Sequence, residues 1–194
     1  MNKKWNRITG ITTSIKPNKK TLYLIQDILN IIPNSIFFKR KNYKFRKILL
    51  FFKKKGVKNF LVFVEKKKIL CELWQVNIEN KLFVHFKIKS AILKRNLESK
   101  GLKTNHIPEI MFHNFESKVG HILSFFLLNL FRNVPHFTGR QIISFYLIKN
   151  QIFIRYYRYL FSSSGKDVRV QEIGPRINLE LLKIYNNISY GRIS

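Results

Sequence analysis

Cysteine and long apolar runs are nearly absent from this sequence. Cys71 is the only cysteine among 194 residues, which excludes an intramolecular disulfide and a multi-cysteine zinc site and fits a reducing compartment. The longest apolar run, 122–128, contains Ser124 and falls far short of the roughly 18–20 residues of a transmembrane helix. The N-terminus, MNKKWNRITGITTS, lacks the apolar core of a secretory signal. We therefore expect a soluble intracellular protein.

Acidic side chains are also scarce, and they form no catalytic pattern. Asp27 and Asp167 are the only aspartates, and the eight glutamates are scattered along the chain. His113 and His121 lie eight residues apart without a third metal ligand nearby. The SSSGK stretch at 162–166 lacks the earlier glycine of a phosphate-binding loop, and no G-x-S-x-G motif is present. We therefore expect neither an enzyme nor a bound metal or cofactor.

Positive charge, in contrast, is present in large excess. The sequence contains 37 Lys+Arg against 10 Asp+Glu, which gives a formal net charge of +27. Such a charge destabilises a compact state by self-repulsion, so we expect a polyanionic partner, with nucleic acid first and an anionic membrane surface second. Because 45% of the residues are hydrophobic and 18 are Phe, the chain is too apolar for the disordered class. It should fold and expose a strongly basic surface.

The hydrophobic pattern predicts an α/β fold of two similar halves, each a small mixed sheet with helices. We expect a single domain over 1–194, with an N-terminal half over 7–93 and a C-terminal half over 106–186. Gly, Pro and few apolar residues mark the junction near 94–108. The predicted helices cover 18–31, 43–55 and 117–131. The predicted strands cover 7–13, 36–38, 59–64, 69–76, 81–88, 110–115, 141–148, 151–161 and 168–173.

The two halves carry their positive charge differently. Residues 1–100 hold 25 basic and 5 acidic side chains, a net charge of +20, whereas residues 101–194 hold 12 and 5, a net charge of +7. Lysine dominates the first half and arginine the second. A lysine acts as a point charge, whereas an arginine offers a planar fork for bidentate contacts and a face for stacking. We hypothesise general attraction by the first half and defined contacts by the second.

The segment QIFIRYYRYLF at 151–161 is the most informative local feature. As a strand it places on one face Phe153, Arg155, Tyr157 and Tyr159. It places on the other face Ile152, Ile154, Tyr156 and Arg158. Aromatic side chains beside arginine suit base stacking and phosphate pairing, and we favour RNA binding for Arg155 and Arg158. For Phe153 and Tyr156 the alternative of a core strand with buried rings stays open.

A basic loop precedes the first predicted helix. Lys16, Lys19 and Lys20 surround the helix N-terminus, where unpaired backbone amides attract anions. The alternative is a solvated basic loop without a ligand. The same alternative applies to each of the basic runs 39–41, 53–55 and 66–68, although together they favour an extended basic patch.

Six motifs, by their order and spacing, make the chain resemble the Brix-domain ribosome-biogenesis proteins over nearly its whole length. They are ITTSIKPNKKT at 11–21, IPNSIFFKR at 32–40, HIPEIMFHNFESKVGH at 106–121, FTGRQIISF at 137–145, IFIRYYRYLF at 152–161 and VQEIGPRINLEL at 170–181. FFKR at 37–40 and KGLKTNHIPEI at 100–110 are most similar to a large-subunit assembly factor of the family. The sister factor of the small-subunit processome is the nearest alternative.

The resemblance implies two α/β halves, each similar to the anticodon-binding domain of class II aminoacyl-tRNA synthetases. It implies a nucleolar, non-catalytic scaffold that binds precursor ribosomal RNA in large-subunit (60S) assembly and rRNA processing. The implied partners are other assembly factors, including one dedicated protein, with no membrane, cofactor or small-molecule substrate. The EIGPR turn at 172–176 would present Arg176. The family's basic positions fall on Lys16, Lys19, Lys20, Arg40, Lys118, Arg140, Arg155, Arg158 and Arg176, and the strand pattern adds Tyr157.

Two other functions stay open on the sequence alone. One is a protein-interaction adaptor in pre-ribosomes, whose charge reflects a biased genome composition rather than RNA contact. The other is peripheral membrane binding, which requires a basic amphipathic helix with an exposed apolar face, and 43–55 is the candidate.

Overall fold

A computed structural model describes residues 8–98, 101–131 and 134–186. These residues form two compact units. The first comprises 8–88 and 181–186, and the second comprises the described residues from 89 to 180. We describe each unit by itself.

The first unit is built on a mixed sheet with the strand order β2-β1-β3-β4-β5. Its strands are β1 (Thr9–Thr13), β2 (Ser35–Phe37), β3 (Asn59–Lys66), β4 (Ile69–Asn77) and β5 (Leu82–Ile92), whose last residues belong to the second unit. Its helices are α1 (Lys19–Leu29) and α2 (Phe45–Lys54). β1 is parallel to β2 and β3, whereas β4 is antiparallel to β3 and β5.

Local sequence explains where α1 begins and where α2 ends. Asn18 caps α1, because its Oδ1 accepts a hydrogen bond from the backbone N–H of Thr21 at 2.8 Å. In α2 the last turn carries Lys53 and Lys54, and cations suit the negative end of the helix dipole. Gly56 follows α2 at φ +70°, a left-handed conformation that glycine adopts without strain.

The core of the first unit lies on both faces of the central strands. The buried side chains of α2 pack with those of β3, including Phe60 and Val62, and Trp74 and Phe83 complete this cluster. A Cβ on Gly10 would lie 2.6 Å from the Phe52 ring, so the residue at this position of β1 must be glycine. All residues of β1 are buried, as expected for an inner strand with a parallel neighbour on each side.

The second unit has the strand order β10-β8-β7-β6, with β9 also paired to β8. Its elements are β6 (Glu109–His113), α3 (Lys118–Leu128), β7 (Gln141–Ile148), β8 (Gln151–Phe161), β9 (Val168–Glu172) and β10 (Arg176–Asn186), whose last residues belong to the first unit. β6 and β7 are parallel. β8 is antiparallel to β7, β9 and β10.

The α/β fold predicted from the sequence is confirmed. In each unit a strand, a helix and a parallel strand are followed by antiparallel strands. Two predictions were incomplete. The strand β10 was not predicted, although Ile177 and Leu179 alternate along it as buried residues. The strand predicted over 81–88 continues as β5 to Ile92.

Candidate nucleic-acid interface

Within the described residues of the second unit, one face of the sheet is not covered by an α-helix. Among the described residues of this unit, α3 is the one α-helix. It lies on the face that carries Phe145, whose ring centroid is 6.1 Å from that of Phe131 just after the helix. Tyr146, the next residue of β7, lies on the opposite face and is 43% exposed. We call this opposite face the open face.

The strand registers show which side chains share the open face. They include Glu109, Met111, His113, Ile142, Ser144, Tyr146, Phe153, Arg155, Tyr157, Tyr159, Phe161, Val168, Val170, Glu172, Arg176 and Asn178. His113 and Tyr146 stack with ring centroids 4.2 Å apart and ring planes 14° apart. Because every base has a π-face, exposed rings of this kind accept stacked bases with little sequence preference.

Arg155 is half-buried on the open face and is held in place by hydrogen bonds. Its Nη1 donates to the carbonyl oxygen of Ile154 at 2.8 Å and to Oδ1 of Asn178 at 2.9 Å. Its guanidinium lies 5.8 Å from the centroid of the Phe153 ring. Burial lowers the pKa of Arg155, but an arginine stays charged in proteins. The open face therefore contains a cation fixed beside an aromatic ring.

Arg176 joins Arg155 and Tyr157 in one cluster around Glu172. The turn at 172–176 connects β9 to β10, and Arg176 is the first residue of β10. Its Nη2 donates to Oε2 of Glu172 at 2.7 Å and its Nε to Oε1 at 2.9 Å. The hydrogen bond to Glu172 raises the pKa of Arg176. Burial, followed by the charge of Glu172, raises the pKa of Tyr157.

Arg140 lies near the C-terminal end of β8. Its guanidinium is 5.9 Å from the centroid of the Phe161 ring, and its carbonyl oxygen accepts the backbone N–H of Tyr159 at 2.9 Å. The hydroxyl of Tyr159 donates to Glu109 on β6, and this hydrogen bond raises the pKa of Tyr159. Basic and aromatic groups thus extend along β8 to its C-terminal end, where Arg140 lies.

Tyr156 and Arg158 lie on the side of β8 opposite to the open face. Tyr156 is 1% exposed, so the core alternative is correct for this residue. Its hydroxyl donates to Oε1 of Gln141 at 2.7 Å, and burial raises its pKa. Arg158 pairs in register with Gln141, and its buried Nε has no hydrogen-bond partner within the described ranges. Arg158 is therefore separated from Arg155 by the sheet.

The basic loop before α1 is exposed, and the carboxylate of Glu65 on β3 contacts it. Lys16, Lys19 and Lys20 are all exposed. The backbone N–H of Asn18 donates to the carboxylate oxygens of Glu65 at 3.0 and 3.2 Å. Because Glu65 occupies this amide and the Asn18 side chain occupies that of Thr21, two backbone amides at this helix N-terminus are already engaged before an external anion arrives.

The remaining predicted residues, Arg40 and Lys118, differ in exposure. Lys118 is the exposed first residue of α3 in the second unit. Arg40 lies in the loop between β2 and α2 of the first unit and is only 6% exposed. Burial lowers its pKa. A buried arginine was not expected from the sequence, because charge runs usually mark solvated surface.

The structure brings three of the ten predicted residues, Arg155, Tyr157 and Arg176, into one cluster. The sequence reasoning missed three aromatic residues of the same face, which are His113 on β6, Tyr146 on β7 and Phe161 at the end of β8. The alternation of β7 signals Tyr146, but His113 requires the parallel register of β6 and β7. Chemically, this face can stack bases and neutralise phosphates.

Two further observations concern metal ligands and membrane spans. Across the ranges 8–98, 101–131 and 134–186, no group of three or more His, Cys, Asp or Glu could hold a metal ion. No helix in the described part of the chain is long and apolar enough to span a bilayer.

Comparison with known proteins shows what the chain is similar to. A sequence profile of the Brix domain matches residues 14–183. The chain is 34% identical over 172 residues to ribosome production factor 1 of Xenopus laevis, covering 88% of this chain and 50% of that protein. It is 27% identical over 179 residues to ribosome production factor 1 of Saccharomyces cerevisiae, covering 92% of this chain and 60% of that protein. The chain thus spans roughly half the length of these relatives.

A solved structure shares the fold. The crystal structure of a probable ribosomal biogenesis protein from Aeropyrum pernix matches with a TM-score of 0.64 at 17% identity, covering 90% of this chain and 95% of that one. At this identity the match supports the fold alone.

Proposed function

Because the chain belongs to the Brix-domain family, we propose that it is a ribosome biogenesis factor. In this role it binds precursor ribosomal RNA as a non-catalytic scaffold during assembly of the large subunit in the nucleolus. The observation that carries the proposal is the open face of the second unit, where Arg155 and Arg176 lie beside aromatic rings. The relatives named ribosome production factor 1 support the process.

The charge supports RNA as the ligand. Ten acidic residues cannot neutralise 37 basic ones, and RNA phosphates would supply the missing negative charge. Fixed arginines and rings suit contacts with defined groups, whereas the exposed lysines of the first unit suit general attraction.

RNA binding is tested by measuring affinity for a precursor rRNA fragment over a series of salt concentrations. Each phosphate that the protein neutralises should contribute about −0.7 (single strand) or −0.9 (duplex) to the slope of log K against log salt. We expect a slope of several units. An affinity that does not change with salt would refute the proposal.

A substitution on the open face tests the contact surface. Tyr146→Ala removes an exposed stacking ring, and loss of one such ring costs about 1–3 kcal/mol of binding to single-stranded nucleic acid. The matched control is Phe125→Ala, because Phe125 is a 52% exposed aromatic residue of α3, on the other side of the unit. Equal affinities for the two variants would exclude the open face as the RNA surface.

The subunit is tested by sedimentation of assembling ribosomes. The chain should accompany precursors of the large subunit. Its presence with small-subunit precursors instead would favour a role in the small-subunit processome.

A second candidate, a protein-interaction adaptor, is favoured by the surface of α3. Exposed apolar side chains recur along this helix at Val119, Ile122, Phe125 and Leu128. Exposed apolar patches of this kind mark protein interfaces. Cross-linking within pre-ribosomal particles separates the two functions, because an adaptor would yield contacts to protein and none from the open face to RNA.

A further inference from the structure

The first unit contains a cavity that the proposed function has not used. It has a volume of about 360 Å³ and lies between the loop after β2 and the helix α2. Small-ligand sites typically measure about 300–1,000 Å³, so the cavity is large enough for a small ligand or for one unit of a polymer.

Arg40 lines this cavity and is held by a tight turn. Its Nε donates to the carbonyl oxygen of Tyr43 at 3.1 Å, and the backbone N–H of Tyr43 donates to the carbonyl oxygen of Arg40 at 3.3 Å. These two bonds fix the guanidinium at the cavity, where Arg40 is 6% exposed. The side chain is therefore positioned before any ligand arrives.

Among the described residues, no carboxylate forms an ion pair with the buried Arg40 side chain. A buried cation is costly unless an anion pairs with it. The sequence contains no Asp or Glu between Asp27 and Glu65, and the ion pairs found among residues 8–98, 101–131 and 134–186 do not include Arg40. An anion from outside the chain would complete this site.

Further cations and aromatic rings surround the same cavity. Lys39, Lys41 and Lys47 are exposed and line it, so they attract an anion to its mouth. Phe38 and Phe51 form an aromatic wall, with ring centroids 5.4 Å apart in an edge-to-face arrangement. A phosphate ion alone would gain nothing from this wall, whereas a group that combines a phosphate with a flat aromatic ring would use both parts.

We infer that this cavity binds one unpaired nucleotide of an RNA strand, with the phosphate on Arg40 and the base against Phe51. The inference rests on the proposed function and adds a defined subsite to it. The base must be unstacked from its neighbours to enter, so the site selects single-stranded RNA over a duplex. Tyr43, which lines the cavity and is 51% exposed, offers a second ring to the base.

The test compares a short single-stranded RNA with the same strand in a duplex, using fluorescence anisotropy. Phe51→Ala should weaken single-strand binding about tenfold, as expected for the loss of one stacking ring, and leave duplex binding unchanged. Its matched control is Leu50→Ala, a 48% exposed neighbour on α2 that does not line the cavity. Lys47→Ala removes a cation that lines the cavity and leaves the Arg40 turn intact. It should weaken single-strand binding more than its control, Lys53→Ala.

The outcomes separate this inference from the proposed function. If the unaltered protein binds no RNA, both fail. If it binds RNA but Phe51→Ala and Leu50→Ala behave alike, only the cavity assignment fails. Uridine 5′-monophosphate should compete with the single strand where inorganic phosphate at the same concentration does not. The assignment would be overturned if a tetraglutamate peptide at the same concentration displaced the single strand. It would also be overturned if the mononucleotide bound but Phe51→Ala did not change the affinity for the single strand.

Discussion

Replacing Glu172 by Gln should tighten RNA binding, because this carboxylate lies within the proposed contact surface. Glu172 accepts three hydrogen bonds from the guanidinium of Arg176. Its charge therefore opposes an incoming phosphate and also engages a cation that would otherwise contact that phosphate. Glu172→Gln removes the charge and keeps the shape of the side chain.

The expected magnitude follows from the interaction energy of two charges in water. Two unit charges about 4 Å apart in water interact by about 1 kcal/mol, and a tenfold change in affinity corresponds to about 1.4 kcal/mol. Removing the repulsion should thus tighten binding by up to about fivefold at low salt. If Arg176 then contacts one more phosphate, the log–log salt slope should steepen by about 0.7 for a single strand.

The assay is fluorescence anisotropy with a labelled single-stranded precursor rRNA fragment over a salt series. Glu116→Gln is the matched control, because Glu116 is exposed in the same unit, precedes α3 and makes the same change of net charge. At physiological salt the Debye length is about 8 Å, so a remote charge should have little effect. Equal effects of both variants, or weaker binding by Glu172→Gln, would refute the role of this cluster.

Three other substitutions test the structure that supports the site. Gln141→Leu leaves the buried Tyr156 hydroxyl without its acceptor and should lower the free energy of unfolding, measured with denaturant, by about 1–3 kcal/mol. Adding Tyr156→Phe should restore part of this stability, and additive losses would contradict the pairing. Gly120→Ala should lower the melting temperature although alanine favours helices, since its Cβ would lie 2.5 Å from the carbonyl oxygen of Phe115; a higher melting temperature would contradict this contact. Burial lowers the pKa of His85, so the unfolded chain binds more protons than the folded one near and below about pH 6.5. The free energy of unfolding should therefore fall as the pH drops through that range. His85→Gln should reduce this fall in urea unfolding, and an unchanged pH profile would exclude His85 as its source.

The period of the sequence pattern was enough to predict much of the second unit. Two-residue alternation correctly placed Arg155 and Tyr157 on one face of β8 and Tyr156 on the other. It could not say which face a helix covers, because that depends on where α3 packs. For this reason the core alternative for Tyr156 stayed open until the fold was known.

Residues that depend on contacts distant in sequence could not be predicted. His113 reaches Tyr146 only through the parallel pairing of β6 and β7, which no local pattern encodes. Arg40 occurs in a basic run whose composition indicates solvated surface. Its burial follows from the turn to Tyr43 and from the packing of α2 beside it. In both cases tertiary structure decides the environment of the side chain.

The scarcity of acidic residues gives those present a specific importance. On the open face, Glu109 binds the Tyr159 hydroxyl and holds that aromatic side chain in place, whereas Glu172 binds Arg176 and competes with phosphate for its charge. Fixed side chains lose less conformational entropy on binding than free ones. In the first unit no carboxylate follows Asp27 until Glu65, and there the buried charge of Arg40 is left for a ligand to neutralise. The same shortage of acid therefore favours pre-positioned contacts in one unit and an unfilled anion site in the other.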